Sequence, residues 1–116
     1  MIVVTTPYLT GSRVTETKGQ VFGLVVRSRG LSGNLAAFFR SLFGGEIREY
    51  TELLEDTRRQ ALDRMVQNAT LMGANAVLSM RFDSSSLGSS MSEIVAYGTA
   101  VVVEADASAS APPAID

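Results

Sequence analysis

The spacing of apolar residues predicts that the chain begins with β-structure. The run MIVVTT, which stops at Pro7, and the longer run RVTETKGQVFGLVVRS are rich in β-branched residues and predict two strands. Within the second run, Gly19 and Gly23 weaken ideal strand pairing. They therefore predict a bulge, a bend or a close approach of another backbone.

Two helical patterns follow the strands. In GLSGNLAAFFRSLFGG, apolar residues recur at i, i+3, i+4, i+7 and i+8, which predicts a short helix. A second stripe extends over residues 46–72, and Gly73 then supplies the left-handed residue that ends a helix. The short stripe consists of Leu35, Phe38, Phe39, Leu42 and Phe43, and the long one of Ile47, Tyr50, Leu54, Ala61, Met65, Ala69 and Met72.

The segment GANAVLSMRFD changes from helical spacing to alternation. Leu78, Met80 and Phe82 are expected on one face of a half-buried strand, and Ser79, Arg81 and Asp83 on the other. The Ser/Gly-rich residues 84–92 predict a mobile connection that lets the chain double back as a hairpin. The run EIVAYGTAVVVE predicts a last strand that is covered on both faces.

This order of elements predicts an α+β fold, with an antiparallel-rich sheet packed on one long helix. A chain of 116 residues is expected to form one domain, for which we predict residues 1–104. Residues 105–116 are small or proline-rich and bury little, so we predict a disordered tail. A last strand that is apolar on both sides, together with a phenylalanine-rich short helix, predicts a homo-oligomer that hides the surplus apolar surface.

Composition removes several function classes. The hydrophobic fraction of 46% and the charged fraction of 19% are those of a globular protein. A formal net charge of -2 gives no basic field for nucleic acid. The start of the chain lacks the pattern of a signal peptide, and no run has membrane-spanning length, so we expect a soluble cytoplasmic protein with no membrane partner. The sequence contains no cysteine and no histidine, which excludes thiolate and imidazole chemistry.

Three segments carry a family resemblance. YTELLEDTRRQALDRM, LMGANAVLSMRFD and AYGTAVVVE resemble the YbjQ-like family, small bacterial proteins that carry a heavy-metal-binding label. The resemblance covers residues 2 to 104 and implies a dodecin-like subunit that assembles into a ring, with a pentamer as the expected form. The label implies metal binding. Soft metals favour thiolate and imidazole, so the residues here leave only carboxylates and other oxygen donors.

The candidate ligand or interface residues are Arg81, Asp83, Tyr97 and Glu93. Arg81 and Asp83 can form a salt bridge with each other or with a neighbouring strand, or bind a ligand in a groove between subunits. Tyr97, beside Gly98, can lie over a flat ligand or be a buried phenol with a hydrogen-bond partner.

Glu46 and Glu49 give the metal alternative. Together with Glu52, they stand at the start of the long helix, where negative charge stabilises the helix. Ring symmetry could instead gather them into a calcium or magnesium site. We expect no cofactor and no enzymatic activity, since no catalytic set is present, although Asp83 with Arg81 across an interface remains an open enzymatic alternative. The favoured hypothesis is a non-enzymatic homo-oligomer that binds a protein partner or a small ligand.

Overall fold

The computed structural model of the chain describes residues 1–28, 48–88 and 91–106, without the side chains of residues 48–50. The predicted short helix and residues 107–116 of the predicted tail lie outside the described residues. The elements are β1 (Ile2–Val3), β2 (Ser12–Ser28), α1 (Arg48–Leu71), β3 (Ala76–Leu87) and β4 (Met91–Ala105). β4 continues to Ala105, the first residue of the predicted tail. The Asp106 N–H, one residue further, donates to the Gly11 carbonyl at 2.9 Å.

The described strands form one mixed sheet in the order β1-β3-β4-β2. β1 is parallel to β3, whereas β3 and β2 both pair antiparallel with β4. The α+β class and the antiparallel-rich sheet on one long helix are therefore confirmed. No helix in the described ranges is both long and apolar enough to cross a bilayer.

The two glycines of β2 have different structural roles. Gly19 lies at a register shift with a φ of 120°, so it provides the predicted bulge. Gly23 faces α1, and a Cβ at this position would collide with the Ala61 carbonyl oxygen and the Met65 backbone nitrogen. The predicted bulge and the predicted close backbone approach are both present, and the second brings the helix onto the sheet.

The predicted stripe of α1 forms the main core. Ala61, Met65 and Ala69 are fully buried and pack against Val21 and Val25 of β2. Leu54, in contrast, is 48% exposed, since the stripe leaves the core in the first half of the helix. Of the remaining stripe residues, Met72 is partly buried, Ile47 lies outside the described residues, and the side chain of Tyr50 is not described.

Two helix side chains also bond to β2, which is an edge strand of the sheet. Asn68 Nδ2 donates to the Phe22 carbonyl at 2.8 Å, and Arg64 Nη1 donates to the Leu24 carbonyl at 2.6 Å. These bonds satisfy backbone acceptors on both sides of Gly23. They therefore fix the position of the helix on the strand by polar contacts as well as by apolar packing.

At the junction from α1 to β3, two backbone hydrogen bonds cap the C-terminus of the helix. Gly73 has a φ of 85°, its N–H donates to Thr70, and the Ala74 N–H donates back to Ala69. The side chain of Asn75 then forms the pair of hydrogen bonds that a neighbouring strand would form through its backbone. Its Nδ2 donates to the Val103 carbonyl at 2.9 Å, and its Oδ1 accepts from the Val103 N–H at 2.8 Å.

The predicted alternation in β3 is wrong at one point. The register with β4 shifts between Leu78 and Arg81, where Ser79 has a φ of 54°. The extra residue moves Leu78 to the face opposite Met80, so Leu78 lies on the same face as Arg81. Gly98 lies across from the bulge, and a Cβ there would be 2.7 Å from Val77 Cγ1.

The predicted loop over residues 84–92 is also wrong in extent. Ser84, Ser85 and Ser86 belong to β3 and pair with Ile94, Glu93 and Ser92 of β4. The hairpin is present, but the connection is short, because β4 begins at Met91. A run of serines pairs here because the opposite strand supplies a continuous ladder, and this outweighs the low strand propensity of the segment.

A smaller core covers part of the opposite face of the sheet. Ala76, Leu78 and Val101 are buried there beneath Val4 and Leu9 of the N-terminal segment. This segment is held along β3 by backbone bonds from Val4 to Val77 and from Met80 back to Val4. The prediction that β4 is covered on both faces thus holds at Val101, whereas Tyr97 remains 38% exposed.

Candidate functional site

One face of the sheet is turned away from α1. Near the β3-β4 hairpin no described residue covers this face, and we call this surface the outer face. Its side chains lie in four rows across β2, β4 and β3, as the strand register shows. The rows are Phe22, Tyr97 and Arg81; Leu24, Val95 and Asp83; Val26, Glu93 and Ser85; and Ser28, Met91 and Leu87.

The outer face is strongly apolar. Phe22 is 53% exposed and Val26 is 48% exposed, and between them lies Leu24, which is also exposed. The other large apolar side chains of the face are Val95, which is half-buried, and Tyr97, Met91 and Leu87, which are exposed. Contiguous apolar surface of this kind marks interaction sites on folded proteins.

Arg81 and Asp83 both lie on the outer face, and each bonds to backbone. Arg81 Nη1 donates to the Thr5 carbonyl at 2.9 Å and to the Met80 carbonyl at 2.8 Å. Asp83 Oδ1 accepts from the Ser84 N–H at 2.9 Å. Arg81 and Asp83 thus do not form the first of the two salt bridges considered, the one with each other, because the guanidinium turns towards the N-terminal segment.

The other two ligand or interface candidates lie on the same surface. Tyr97 stands between Phe22 and Arg81 in its row, and Glu93 accepts a hydrogen bond from Ser85 Oγ at 3.3 Å. The fold therefore brings Arg81, Asp83, Tyr97 and Glu93 onto one face, and their role as ligand residues stays a prediction. Of the metal candidates, Glu46 lies outside the described residues, and the side chain of Glu49 is not described.

A second concave surface lies on the helix side of the sheet, and we call it the helix-hairpin groove. It runs between the first half of α1 and the hairpin end of β3 and β4. Leu54, Ser92 and Ile94 line its middle, where the part towards β2 meets the part towards β3. Arg27 and Leu53 border it towards β2, and Arg58 borders it towards β3.

Cations border the groove at both ends but differ in their partners. Arg27 Nη2 is 3.2 Å from Asp56 Oδ2, so a carboxylate already faces it. The Arg58 guanidinium instead lies over the Phe82 ring, 5.4 Å from its centroid. Among the residues that the structure describes, no carboxylate forms an ion pair with Arg58 at the β3 end of the groove.

Metal-binding residues do not gather in the described part of the chain. No group of three or more acidic side chains comes together there in a way that could hold an ion. The sequence supplies no cysteine or histidine, which soft metals prefer. The described residues of one subunit thus do not fit a heavy-metal centre.

The comparison with known families agrees with the three segments singled out in the sequence. Residues 1–104 match the model of the YbjQ family, which is described as "Putative heavy-metal-binding". The chain belongs to this family. The resemblance seen in the sequence is thereby confirmed.

Relatives from distant organisms extend over most of this chain. A UPF0145 protein of Bradyrhizobium sp. (strain ORS 278) is 64% identical over 104 residues, which cover 90% of this chain and 94% of the relative. A UPF0145 protein of Methanocella arvoryzae is 57% identical over 112 residues, which cover 97% of this chain and 93% of the relative. These names state no activity, and the family is uncharacterised.

A solved structure shares the fold. It is a protein of unknown function of the DUF74 family from Pediococcus pentosaceus ATCC 25745, with a TM-score of 0.62 and 12% identity. The match covers 90% of this chain and 98% of the other chain. At this identity the likeness concerns the fold alone.

Sequence reasoning missed two groups of residues at these surfaces. Phe22, Leu24 and Val26 form the apolar column of the outer face, and a signal for them was present, since VFGLVV is apolar on both faces of the strand. Arg58 and Leu53 had no comparable signal. Their position beside the groove depends on where the helix lies against the hairpin.

Proposed function

We propose that the chain is the subunit of a cytoplasmic, non-enzymatic homo-oligomer that acts as a binding or assembly module, with the outer face buried against a second copy. The observation that carries this proposal is the column of exposed apolar side chains at Phe22, Leu24 and Val26. A side chain that is about half exposed loses much of its hydrophobic stabilisation in a monomer.

The charges of the outer face favour a second copy as the partner. Arg81 and the carboxylates of Asp83 and Glu93 occupy one surface, so the outer face carries both signs and can pair with a surface of mixed charge on a neighbouring copy. The free edge of the sheet supports the same partner. Within the described residues, β1 pairs only with Ala76 and Val77, which leaves β3 beyond Met80 with a strand on one side.

A ring of five dodecin-like subunits is the form that the family resemblance favours. Light scattering coupled to gel filtration at micromolar concentration should then give a mass five times the subunit mass of 12.4 kDa. The double variant Phe22→Ser with Val26→Ser should lower that mass, because it places hydroxyls in the buried patch. A compact wild-type monomer that binds no apolar dye would overturn the proposal.

A matched control separates the outer face from general surface hydrophobicity. Leu71, at the end of α1, is 85% exposed and lies away from the outer face. Leu71→Ser should leave the oligomer mass unchanged. An equal loss of mass in this variant would show that the outer face has no special role.

Metal binding is the second candidate, and the family description alone favours it. Carboxylates would have to supply the ligands, with Glu46 and Glu49 from several subunits of a ring as the donor set. Calorimetric titration of the oligomer with zinc, copper, nickel and calcium decides this candidate. Absence of heat with all four ions would remove it.

A further inference from the structure

The helix-hairpin groove combines an apolar floor with polar groups at one end. Ile94 is 3% exposed and forms the floor, and Leu54 and Leu53 form the wall on the helix side. At the β3 end, Ser84 and Ser86 project towards the helix side of the sheet, since Ser84 pairs with the inward-facing Ile94. Most small-molecule sites share this arrangement of apolar lining with a few polar groups.

The two arginines that border the groove differ in their contacts. Arg58 is exposed and lies over Phe82, whereas Arg27 is already paired with Asp56 at the β2 end. Asp56 repels a second anion at that end, whereas no carboxylate in the described part of the chain is paired with Arg58 at the β3 end. A guanidinium presents its N–H groups in a fork that matches the two oxygens of a carboxylate.

We propose that the helix-hairpin groove binds a small amphipathic carboxylate, with its carboxyl group at Arg58 and its aliphatic body along Leu54 and Ile94. The hydroxyl of Ser84, which lies on the helix side of β3, borders the same end of the groove and can add a hydrogen bond. The proposal does not rest on the assembly of subunits, because Arg58, Leu54 and Ile94 lie on the helix side of the sheet, whereas the apolar column of the outer face lies on the other side.

Octanoate is a suitable probe, and octanol is its neutral partner of equal chain length. Backbone amide shifts of the full-length protein are followed by NMR while each compound is added. Octanoate should shift the amides of Leu54, Arg58 and residues 84–86, and it should bind at least about tenfold more tightly than octanol. Equal affinities, no binding, or shifts confined to the outer face would each overturn the proposal.

Arg58→Gln tests the anion contact, and Arg59→Gln is its matched control. The two arginines are neighbours on α1 and both are exposed, but only Arg58 borders the groove. Arg58→Gln should weaken octanoate binding about tenfold and leave octanol unchanged. Arg59→Gln should keep the wild-type affinity. Equal affinities of the two variants for octanoate would overturn the assignment.

Two further measurements complete the test. Light scattering on Arg58→Gln should give the wild-type mass, so that loss of octanoate binding and loss of assembly are told apart. A variant with Phe38→Ser and Phe39→Ser should bind octanoate as the wild type does. Binding that occurs in this variant alone would mean that the chain's own apolar stripe competes for the groove, and it would overturn the proposal.

Discussion

At the residue scale, the structure depends on positions where a side chain is absent or replaces backbone. Gly23 and Gly98 leave room for the helix and for the β3 bulge, respectively. Asn75 extends the sheet by bonding twice to Val103. None of these residues carries reactive chemistry, yet each fixes how two elements of the fold meet.

Gly23→Ala should lower the free energy of unfolding by about 1 to 3 kcal/mol, because the new methyl group would collide with the backbone of α1 at Ala61 and Met65. Urea unfolding followed by circular dichroism measures the loss. Gln20→Ala, at an exposed position of the same strand, should change stability by less than about 0.5 kcal/mol. A Gly23→Ala variant as stable as the wild type would show that the helix does not approach the strand this closely.

Asn75→Ala should lower the free energy of unfolding by about 1 to 3 kcal/mol, because it removes the side-chain donor and acceptor that bond to the backbone of Val103. The same urea series gives this value. Gln67→Ala, at an exposed position on α1, is the control and should unfold like the wild type. Similar midpoints for the two variants would contradict the structural role of Asn75.

Much of the fold can be predicted from these same residues. The spacing of Ala61, Met65 and Ala69 predicted the buried face of the helix, and Gly73 predicted its end, because both signals are local. The bulge at Ser79 escaped prediction, since a period of two cannot reveal one extra residue. Its signal was in Gly98, on another strand, and becomes readable only once the register is known.

At the element scale, pairing between strands determines the extent of β3 and the position of the N-terminal segment, which local composition does not predict. Ser84–Ser86 have the composition of a loop, but they continue β3 because β4 offers partners as far as Met91. The N-terminal segment likewise gains its place by lying parallel to β3, a pairing that no local pattern predicts. Arg81 connects these elements, because its side chain reaches the carbonyl of Thr5.

Arg81→Ala should loosen the N-terminal segment without unfolding the domain. Hydrogen exchange at the Val4 amide, which bonds to the Val77 carbonyl, should become faster, because the contact that holds the adjacent Thr5 carbonyl is lost. Asp83→Ala, on the same strand and the same face, should leave this exchange rate unchanged. Equal rates in the wild type and Arg81→Ala would favour a ligand-binding role for Arg81 over a structural one.

At the scale of the whole molecule, one sheet separates two surfaces with different properties. The outer face is broad and apolar with charges of both signs, as expected for contact between copies. The helix-hairpin groove has an apolar floor at Ile94 and, at its β3 end, the Arg58 guanidinium, which lies over the Phe82 ring. The surplus of apolar residues could be predicted from the sequence, but their placement on one face could not, because it depends on which half of the sheet the N-terminal segment covers.

Assembly through the outer face predicts that thermal stability depends on protein concentration. Binding between folded subunits stabilises them relative to unfolded chains, by on the order of 1 kcal/mol per subunit for each tenfold increase in concentration. The wild-type Tm should therefore rise in calorimetric scans as the concentration is raised. The double variant Phe22→Ser with Val26→Ser should show a constant Tm, whereas Leu71→Ser should retain the wild-type slope. A wild-type Tm that is the same across a hundredfold range, at concentrations that span dissociation in light scattering, would mean that contacts between copies add nothing to the stability of the fold.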